Sequence, residues 1–438
     1  MTGPTDPAPH AVGAPLRLRR ANRDQVTPVP AYLDALLPDD HLARLLWQAV
    51  EQLDLAAFTT GLTVQEGGPG RAAADPAVLV ALWLYATTQG VTSARALDRL
   101  CVEHVAYIWL CGGVTMNYHS LSDFRTRHAA AVDALMTQVL GRLHHAGLIA
   151  FEHVAQDGIR VRAGAGAASF HRRATLEQSL AAAEALLTQV QRAAAGAEAT
   201  PGSTARQRAA RERAARERVD RLTAALAGIP AAQAAKKPAE RGEARVSETD
   251  PEARVMKMAD GGFRPAYNIQ LAADTAHQAI VGVEVTSSGS DMAQAPGMVE
   301  QVERRLGELP GDWLMDGGFA GQQAVEQAAA AGVRVLAPVA APRVAGRDPH
   351  QPLPTDSPAL AAWRVRMGLE ETKLLYRLRA ATIECVNAKA RALYGLTQVR
   401  VRGLAKVRCV ALWMAVAHNL KLLVTPPPPA APALAGAA

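Results

Sequence analysis

Three carboxylates in this chain have neighbours that suit metal-assisted chemistry, and two of them follow the same pattern. Asp157 and Asp316 each close a short strand-like run, Val154–Gln156 and Trp313–Met315, and each is followed by glycine. In open α/β sheets, ligands bind beyond the carboxyl ends of strands. Two acids at that point would repel each other unless a divalent cation bound both, and Mg²⁺ prefers such oxygen ligands. Asp-Gly is also common in turns, so a purely structural role is the alternative.

Glu384 is the candidate third acid, and it lies in the basic stretch Tyr376–Arg391. C-terminal to Glu384 there is no Asp or Glu but seven Lys or Arg, in a chain whose overall net charge is +6. A lone carboxylate beside such a region suits a group that binds metal next to a polyanion. In the alternative interpretation, Arg377 and Arg379 form surface salt bridges with the glutamates that precede Tyr376.

Composition predicts a globular protein of up to about three domains. Of the 438 residues, 49% are hydrophobic and 20% charged, and the four cysteines include no CxxC pair. Widely spaced cysteines are typical of a reducing compartment. The first thirty residues have no apolar segment of signal-peptide type, and the longest apolar runs are shorter than the roughly 20 residues that span a bilayer. We therefore expect a soluble, cytoplasmic protein without a membrane partner.

The N-terminal part of the chain reads as helical. Residues 1–30 are predicted to be disordered, and residues 31–150 to form an all-helical domain. Asp75-Pro76 is a strong helix start, and Ser120 to Asp123 matches a capping box. The helix predicted after Ser120 carries basic side chains that are either a solvated face or a DNA-contacting surface: Arg125, Arg127 and His128.

From residue 151 the pattern changes to strands that alternate with helices. A first strand is followed by an Ala/Arg/Glu-rich helical insertion at about 163–247, which either has no chemical role or contacts DNA phosphates. Tyr267–Leu271 and Val281–Val285 then alternate with period two, which predicts a β-hairpin. The order β, insertion, β-β-α-β-α-β-α predicts an α/β fold, a mixed sheet flanked by helices over 151–423. Residues 424–438 are predicted to be a disordered tail.

Several segments resemble the DDE transposases of bacterial insertion sequences. The segments are VAQDGIRVRAGAG, TDPEARVMKM, GGFRPAYNIQLAADT, LMDGGFAG and YRLRAATIECVNAKAR with the following VRGLAKVR and AHNL. The resemblance implies an RNase H-like catalytic domain, and the helical region resembles the N-terminal domain of these proteins. It also implies that Asp157, Asp316 and Glu384 are the catalytic, metal-binding triad, with Mg²⁺ as cofactor and Mn²⁺ as the alternative.

The family's signature around the last acid runs Tyr-x2-Arg-x3-Glu-x6-Lys. In this sequence Tyr376 and Arg379 fit, but four residues separate Arg379 from Glu384, and Arg391 replaces the lysine. Arginine keeps the charge but not the compact ammonium. With the basic residues that follow, the stretch implies a set of DNA- or phosphate-binding side chains: Tyr376, Arg379, Asn387, Arg391, Arg400, Arg402, Lys406 and Arg408.

The implied activity is Mg²⁺-dependent strand cleavage at the element's ends followed by strand transfer. The implied partners are double-stranded DNA (terminal inverted repeats and target) and a second copy of the chain in a synaptic homodimer, at the nucleoid. The alternatives are an RNase H-like nuclease without strand transfer and an inactive DNA-binding relic. Outside the triad we expect Asp274 to form a turn, Asp291 to cap a helix, and His418 and Asn419 to lie in the core.

Overall fold

The computed structural model describes residues 32–60, 73–195, 205–342 and 346–427. The segment predicted to be a disordered N-terminus, residues 1–30, lies outside these ranges, as do residues 428–438 of the predicted tail. The helices are α1 Leu42–Glu51, α2 Pro76–Thr88, α3 Ala94–Glu103, α4 Val105–Cys111, α5 Tyr118–Arg127, α6 Ala129–His145, α7 Arg173–Ala195, α8 Ala205–Ala234, α9 Ala295–Leu306, α10 Gln322–Ala330, α11 Pro358–Gly368, α12 Glu370–Tyr376, α13 Cys385–Ala392 and α14 Leu404–Val424. The strands are β1 His153–Arg162, β2 Phe170–His171, β3 Val246–Ser247, β4 Arg254–Lys257, β5 Phe263–Asp274, β6 Ile280–Thr286, β7 Asp312–Leu314 and β8 Arg334–Leu336.

One mixed sheet carries the C-terminal part of the chain. Its strands lie in the order β4-β5-β1-β7-β8, and β6 also pairs with β5. β1 is antiparallel to β5 on one side and parallel to β7 on the other, and β7 is parallel to β8. Antiparallel pairing on one side of β1 and parallel pairing on the other is the RNase H-like arrangement, so the predicted fold class is confirmed.

β1 is longer than the sequence pattern indicated, and Asp157 is not at its end. The strand continues to Arg162, and Asp157 lies opposite Leu271 in the middle of the pairing with β5. Only His153–Ala155 pair with β7. Asp157 therefore lies just beyond the part of β1 that pairs with β7. Because β7 stops there, Asp157 lies at the sheet edge where the loops meet, although its own strand continues.

The predicted hairpin is confirmed as the antiparallel pair β5 and β6. The alternation along β5 does not mark a solvent face, however, because every residue from Pro265 to Asp274 is buried. Asn268 and Gln270, the polar members of the alternating pattern, are both 0% exposed. A strand paired on both edges and covered on both faces buries its polar side chains as well, and these must then find hydrogen-bond partners.

Helix α14 is the central element of the core. It packs against α1, α2, α5 and α6 of the helical region and against β6 of the sheet, and one continuous apolar cluster joins the two regions. Among the described residues, α14 alone is long and apolar enough to cross a membrane, yet 72% of its most apolar window is buried inside the protein. The domain boundary predicted near residue 150 lies in the connection from α6 to β1 and stays a prediction.

The two helix starts predicted in the N-terminal region have different outcomes. Asp75 does cap α2, and its carboxylate accepts a hydrogen bond from the backbone N–H of Ala77. The capping box at Ser120 is wrong, because α5 begins at Tyr118 and Asn117 caps it by accepting from the N–H of Ser120. Asn117 precedes the helix by one residue and is itself a strong N-cap type, so it takes this position.

Most of the basic cluster on α5 is not available to DNA. Arg125 is 7% exposed, donates to the carbonyl of Thr92 and lies 4.5 Å from the centre of the Trp83 ring. His128 lies against the rings of Phe58 and Phe124, and Arg127 alone is exposed. The DNA-contacting interpretation of this helix is therefore reduced to one side chain, while Arg125 links α5 to α2 in the core.

The insertion forms a helical hairpin, α7 and α8, with a small core of its own. Residues from both helices and β3 pack together in that core, including Leu176, Leu222 and Val246. The short pair β2 and β3 closes the base of the hairpin. Asp274, at the end of β5, is buried and bonds the N–H groups of Ala276 and Phe151, which agrees with the predicted turn role.

Candidate active site

The three predicted acids come from three separate segments and lie around one point. Asp157 is on β1, Asp316 follows β7 by two residues, and Glu384 ends a π-helical turn, Ala380–Glu384, that leads into α13. Because β7 runs parallel beside the start of β1, the loop after β7 brings Asp316 toward Asp157. The exposed fraction of the side chains rises from 19% for Asp157 through 44% for Asp316 to 60% for Glu384.

The guanidinium of Arg379 contacts all three acids. Its Nη2 lies 3.3 Å from Oδ2 of Asp157 and 4.0 Å from Oδ2 of Asp316, and its Nη1 lies 3.2 Å from Oε1 of Glu384. The Arg379 side chain is only 12% exposed. A planar group with five N–H donors can satisfy several carboxylates at once, so Arg379 neutralises part of the acids' mutual repulsion.

The π-helical turn explains how Arg379 and Glu384 meet despite their spacing. In an α-helix, residues three or four apart face each other, and five apart do not. A π-helix bonds residue i to residue i+5 and usually occurs as a single wide turn within an α-helix. Arg379 and Glu384 are five apart across this turn, so the additional residue relative to the family signature is accommodated by the wider turn.

Asp157 is the most enclosed of the three acids. Its Oδ1 accepts from the N–H of Gly158 at 2.8 Å, and its Oδ2 accepts from the side-chain amide of Asn387 at 3.2 Å. Burial raises the pKa of Asp157, and the positive charge of Arg379 only partly opposes that rise. The folded protein therefore stabilises the ionised carboxylate less well than water does.

Asp316 lies on a more open loop that the Tyr376 side chain fixes from the other side. Oδ1 of Asp316 accepts from the N–H of Gly318 at 2.7 Å. The hydroxyl of Tyr376 donates to the carbonyl of Met315 at 3.2 Å, and burial raises the pKa of Tyr376. Tyr376 is therefore a neutral donor that ties the segment of Glu384 to the segment of Asp316.

A second cluster beside Asp157 was missed in the sequence. Asp291 does not cap α9 as predicted: its Oδ1 accepts from Asn268 and Gln270, both at 2.7 Å, and its Oδ2 accepts from Arg160 at 3.0 Å. These side chains fill the space over Gly158. The only sequence signal for this cluster was that Asn268 and Gln270 alternate along a strand with few other polar groups. The same alternation is typical of a solvent-exposed face, so it did not predict a buried cluster.

Comparison with protein families identifies the chain. A family model described as "Transposase DDE domain" matches residues 239–420, and one described as "Transposase domain (DUF772)" matches residues 31–127. The chain belongs to the DDE transposases of the insertion-sequence type. No curated protein and no solved structure gave a significant match.

The matched regions of this transposase include Asp316 and Glu384 but not Asp157, which precedes residue 239. The assignment of Asp157 to the same site therefore depends on its position on β1 and its contact with Arg379. The first family model covers β3 to most of α14, and the second covers α1 to α5.

The predicted phosphate-binding side chains are not all in one place. Arg391 lies two helical turns after Glu384 on the same face of α13, and it is exposed. Arg400, Arg402 and Lys406 are exposed too. The loop that carries Arg400 and Arg402 is attached to the end of β1, because the N–H of Val399 donates to the carbonyl of Arg162.

Two of the predicted phosphate-binding side chains already have partners within the protein. Arg408 pairs with Asp133 at 3.6 Å and with Glu284 at 3.5 Å, so it joins α14 to α6 and β6 and does not offer a free charge. Asn387 is 5% exposed and faces Asp157, so it supports an acid and cannot reach a phosphate on the surface.

The oxygen groups around Arg379 suit a hard divalent cation. Within the described ranges, no three His, Cys, Asp or Glu side chains already converge as a metal-binding group. The Arg379 guanidinium instead occupies the place between the acids and stands in for positive charge there. The side-chain oxygen of Asn387 is buried beside Asp157 without a hydrogen-bond partner among the described residues. Carboxylate and amide oxygens are the ligands that Mg²⁺ and Mn²⁺ take, so the residues fit the implied cofactor once Arg379 moves aside.

Proposed function

We propose that this transposase cleaves DNA at the ends of an insertion sequence and transfers the freed strands to a target, with Asp157, Asp316 and Glu384 as its catalytic acids. The observation that carries the proposal is that three acids from distant segments share one guanidinium at the edge of an RNase H-like sheet. A structural ion pair needs one acid per arginine. Three acids around one arginine leave negative charge that a divalent cation can neutralise.

Bound divalent cations would supply Lewis-acid activation of the attacking oxygen and charge neutralisation at the leaving oxygen. The chain's own residues provide the positioning that dominates phosphoryl transfer. Asn387 and the N–H of Gly158 orient the Asp157 carboxylate, and Tyr376 fixes the loop of Asp316.

Arg379 has two roles in this proposal. In the DNA-free protein it neutralises the acids. When DNA and cations bind, the Arg379 side chain turns to a phosphate oxygen near the scissile bond. Arg391, on the helix face of Glu384, provides a second positive charge there. In the first reaction water attacks the phosphorus at the element's end and the 3′-oxygen leaves. In the second, that 3′-hydroxyl attacks a target phosphodiester, and the target's own 3′-oxygen leaves.

The proposed partners are double-stranded DNA, as terminal inverted repeats and as target, and a second copy of the chain in the synaptic complex, in the cytoplasm at the nucleoid. We propose residues 31–150 as a DNA-binding domain and 151–423 as the catalytic domain with its insertion at about 163–247. The exposed cations Arg391, Arg400, Arg402 and Lys406 are the proposed contacts in the catalytic domain.

The test is metal-dependent cleavage of labelled DNA that carries the element's own ends. We expect Asp157→Asn, Asp316→Asn and Glu384→Gln each to lower the cleavage rate by about 10³-fold or more, because each removes a charge that acts directly on the reacting groups. Glu371→Gln, which changes an exposed acid on α12, is the matched control and should cleave normally.

Full activity in one of the three variants would remove that residue from the proposal. Cleaved product without joined product would favour a nuclease that lacks strand transfer. DNA binding that weakens with salt, with no metal-dependent cleavage by the unmodified protein, would favour an inactive DNA-binding relic.

A further inference from the structure

Gln278, in the turn between β5 and β6, has a backbone conformation that its side chain disfavours. Its φ is 62°, in the left-handed region, where glycine and asparagine are common and most other residues are strained. Nothing in the turn itself requires glutamine, since glycine would adopt the same conformation freely. A strained residue that persists at such a position indicates that its side chain does something a glycine cannot do.

The Gln278 side chain connects two points of the segment that carries Glu384. Its amide nitrogen donates to the carbonyl of Ala381 in the π-helical turn at 3.0 Å. Its amide oxygen accepts from Nζ of Lys389 on α13 at 2.6 Å. One contact lies three residues before Glu384 and the other five residues after it, so a single side chain spans the acid's position along the helix.

The backbone of Gln278 is held by a hydrogen bond from His418 in the core. Nε2 of His418 lies 2.8 Å from the carbonyl oxygen of Gln278, and Nδ1 lies 3.3 Å from the hydroxyl of Tyr394. A carbonyl only accepts, so Nε2 carries the hydrogen and Nδ1 accepts from Tyr394. Burial is the main cause that lowers the pKa of His418 to about 4; the hydrogen bond to Gln278 opposes this lowering, and the charges of Lys389 and Lys421 add to it, so the ring is neutral at pH 7.

Glu384 needs such support because little else fixes it. Its side chain is 60% exposed, it accepts a hydrogen bond from Arg379, and it ends a turn whose wide geometry is less regular than an α-helix. When Arg379 turns to DNA, the orientation of Glu384 depends on the backbone of the π-helical turn and α13. The bonds from Gln278 connect that backbone to the β5–β6 turn of the central sheet.

We propose that Gln278 is a positioning residue for Glu384: it fixes the π-helical turn and α13 so that the acid keeps its place relative to Asp157 and Asp316. This inference rests on the catalytic role of Glu384 proposed above. Gln278 touches neither DNA nor the reacting atoms in this scheme, and it acts through Ala381 and Lys389. Misplacement of a catalytic group by about 1 Å can cost about 100-fold in rate.

The experiment compares Gln278→Gly, Gln278→Asn and His277→Ala in the full chain. Glycine and asparagine both suit a positive φ, but glycine lacks the amide and asparagine is one methylene too short to reach both partners. His277→Ala changes the neighbouring turn residue and keeps both bonds. Three quantities are measured: backbone amide hydrogen exchange over residues 380–392 without DNA or metal, steady-state cleavage kinetics with Mg²⁺, and the melting temperature.

For Gln278→Gly and Gln278→Asn we expect exchange over 380–392 to rise about 10-fold, kcat to fall about 10- to 100-fold and KM for end DNA to stay within about twofold. The melting temperature should not fall in Gln278→Gly, because glycine relieves the strained backbone. His277→Ala should match the unmodified protein. Unchanged exchange in both Gln278 variants would overturn the proposal, and so would faster exchange with normal kcat. If the unmodified protein does not cleave DNA, the proposed function fails, whereas the exchange result still decides whether Gln278 fixes this segment.

Discussion

Asp157 and Asp316 are both followed by glycine, yet the two acids differ in burial and the two glycines differ in how closely other atoms approach them. Asp157 lies within a strand, 19% exposed, and Gly158 faces the buried cluster of Asp291 and its partners. Asp316 lies in a loop at 44% exposure, and the two glycines after it have only the carbonyl of Pro338 and the acid itself as near neighbours.

The difference is measurable at the position where a Cβ would be. At Gly158 that atom would lie 2.3 Å from Nε2 of Gln270, 2.5 Å from Oδ1 of Asp291 and 2.7 Å from Oδ1 of Asn268. At Gly317 the nearest atom is the carbonyl oxygen of Pro338 at 3.7 Å, which is ordinary contact. The same dipeptide therefore makes room for a packed polar layer in one place and forms an open loop in the other.

The largest effect that this comparison predicts is on stability. Gly158→Ala should lower the free energy of unfolding by about 2–4 kcal/mol, because the methyl group must displace buried, hydrogen-bonded side chains. Gly317→Ala should change it by less than about 0.5 kcal/mol. Urea unfolding of both variants measures the difference. Equal midpoints would mean that the cluster over Gly158 rearranges at little cost, and the contrast between the two glycines would be lost.

The next prediction concerns the divalent cation that we propose binds between Asp157 and Asp316. Arg379→Gln should strengthen Mn²⁺ binding to the DNA-free protein about 10-fold, which is about 1.4 kcal/mol, because the guanidinium no longer competes for the same carboxylates. Arg377→Gln removes an exposed charge two residues away and should bind Mn²⁺ like the unmodified protein. Isothermal titration calorimetry gives both affinities. Weaker binding in Arg379→Gln would show that Arg379 helps to organise the acids for the metal.

The smallest predicted effect is a change in stability when the most buried of the three acids, Asp157, is neutralised. The pKa of Asp157 is raised by burial, so the folded protein binds that proton more tightly than the unfolded chain does. The contribution to stability is full below the unfolded pKa of about 3.9 and is lost as the pH rises through the folded pKa. At pH 7.5 Asp157→Asn should therefore stabilise the protein by about 1 kcal/mol, a usual gain when functional-site strain is removed.

The pH series provides the control for that prediction. The gain from Asp157→Asn should shrink as the pH falls and vanish near pH 4, while Asp316→Asn, at a more exposed side chain, should give a smaller gain at pH 7.5. Thermal melts at pH 7.5 and 4.0 compare the two variants. A gain of the same size at both pH values would mean that it arises from packing and not from the charge.

Much of the fold could be predicted because its signals are local. Period-two alternation at Tyr267–Leu271 and Val281–Val285 identified the hairpin, and Asp75-Pro76 identified the start of α2. The resemblance at the strand ends and in Tyr376–Arg391 then indicated the three acids, which lie together around Arg379.

The remainder depends on contacts between distant segments, which local patterns do not report. Asn268 and Gln270 look solvated until β1 and β6 cover the edges of β5 and Asp291 accepts their hydrogen bonds. The additional residue between Arg379 and Glu384 reads as a mismatch until the π-helical turn is seen to accommodate it. Arg125 looks like part of a polar face until the carbonyl of Thr92 and the Trp83 ring are found beside it.

The central position of α14 has a consequence for how the protein is made. α14 follows every other described element along the chain, so it leaves the ribosome after them. Until then α1, α2, α5 and α6 lack the helix that they pack around, and their apolar side chains stay uncovered. We expect nascent chains that stop before Leu404 to require chaperones or to aggregate. We therefore expect the N-terminal helices to reach their final structure only when α14 has also been synthesised.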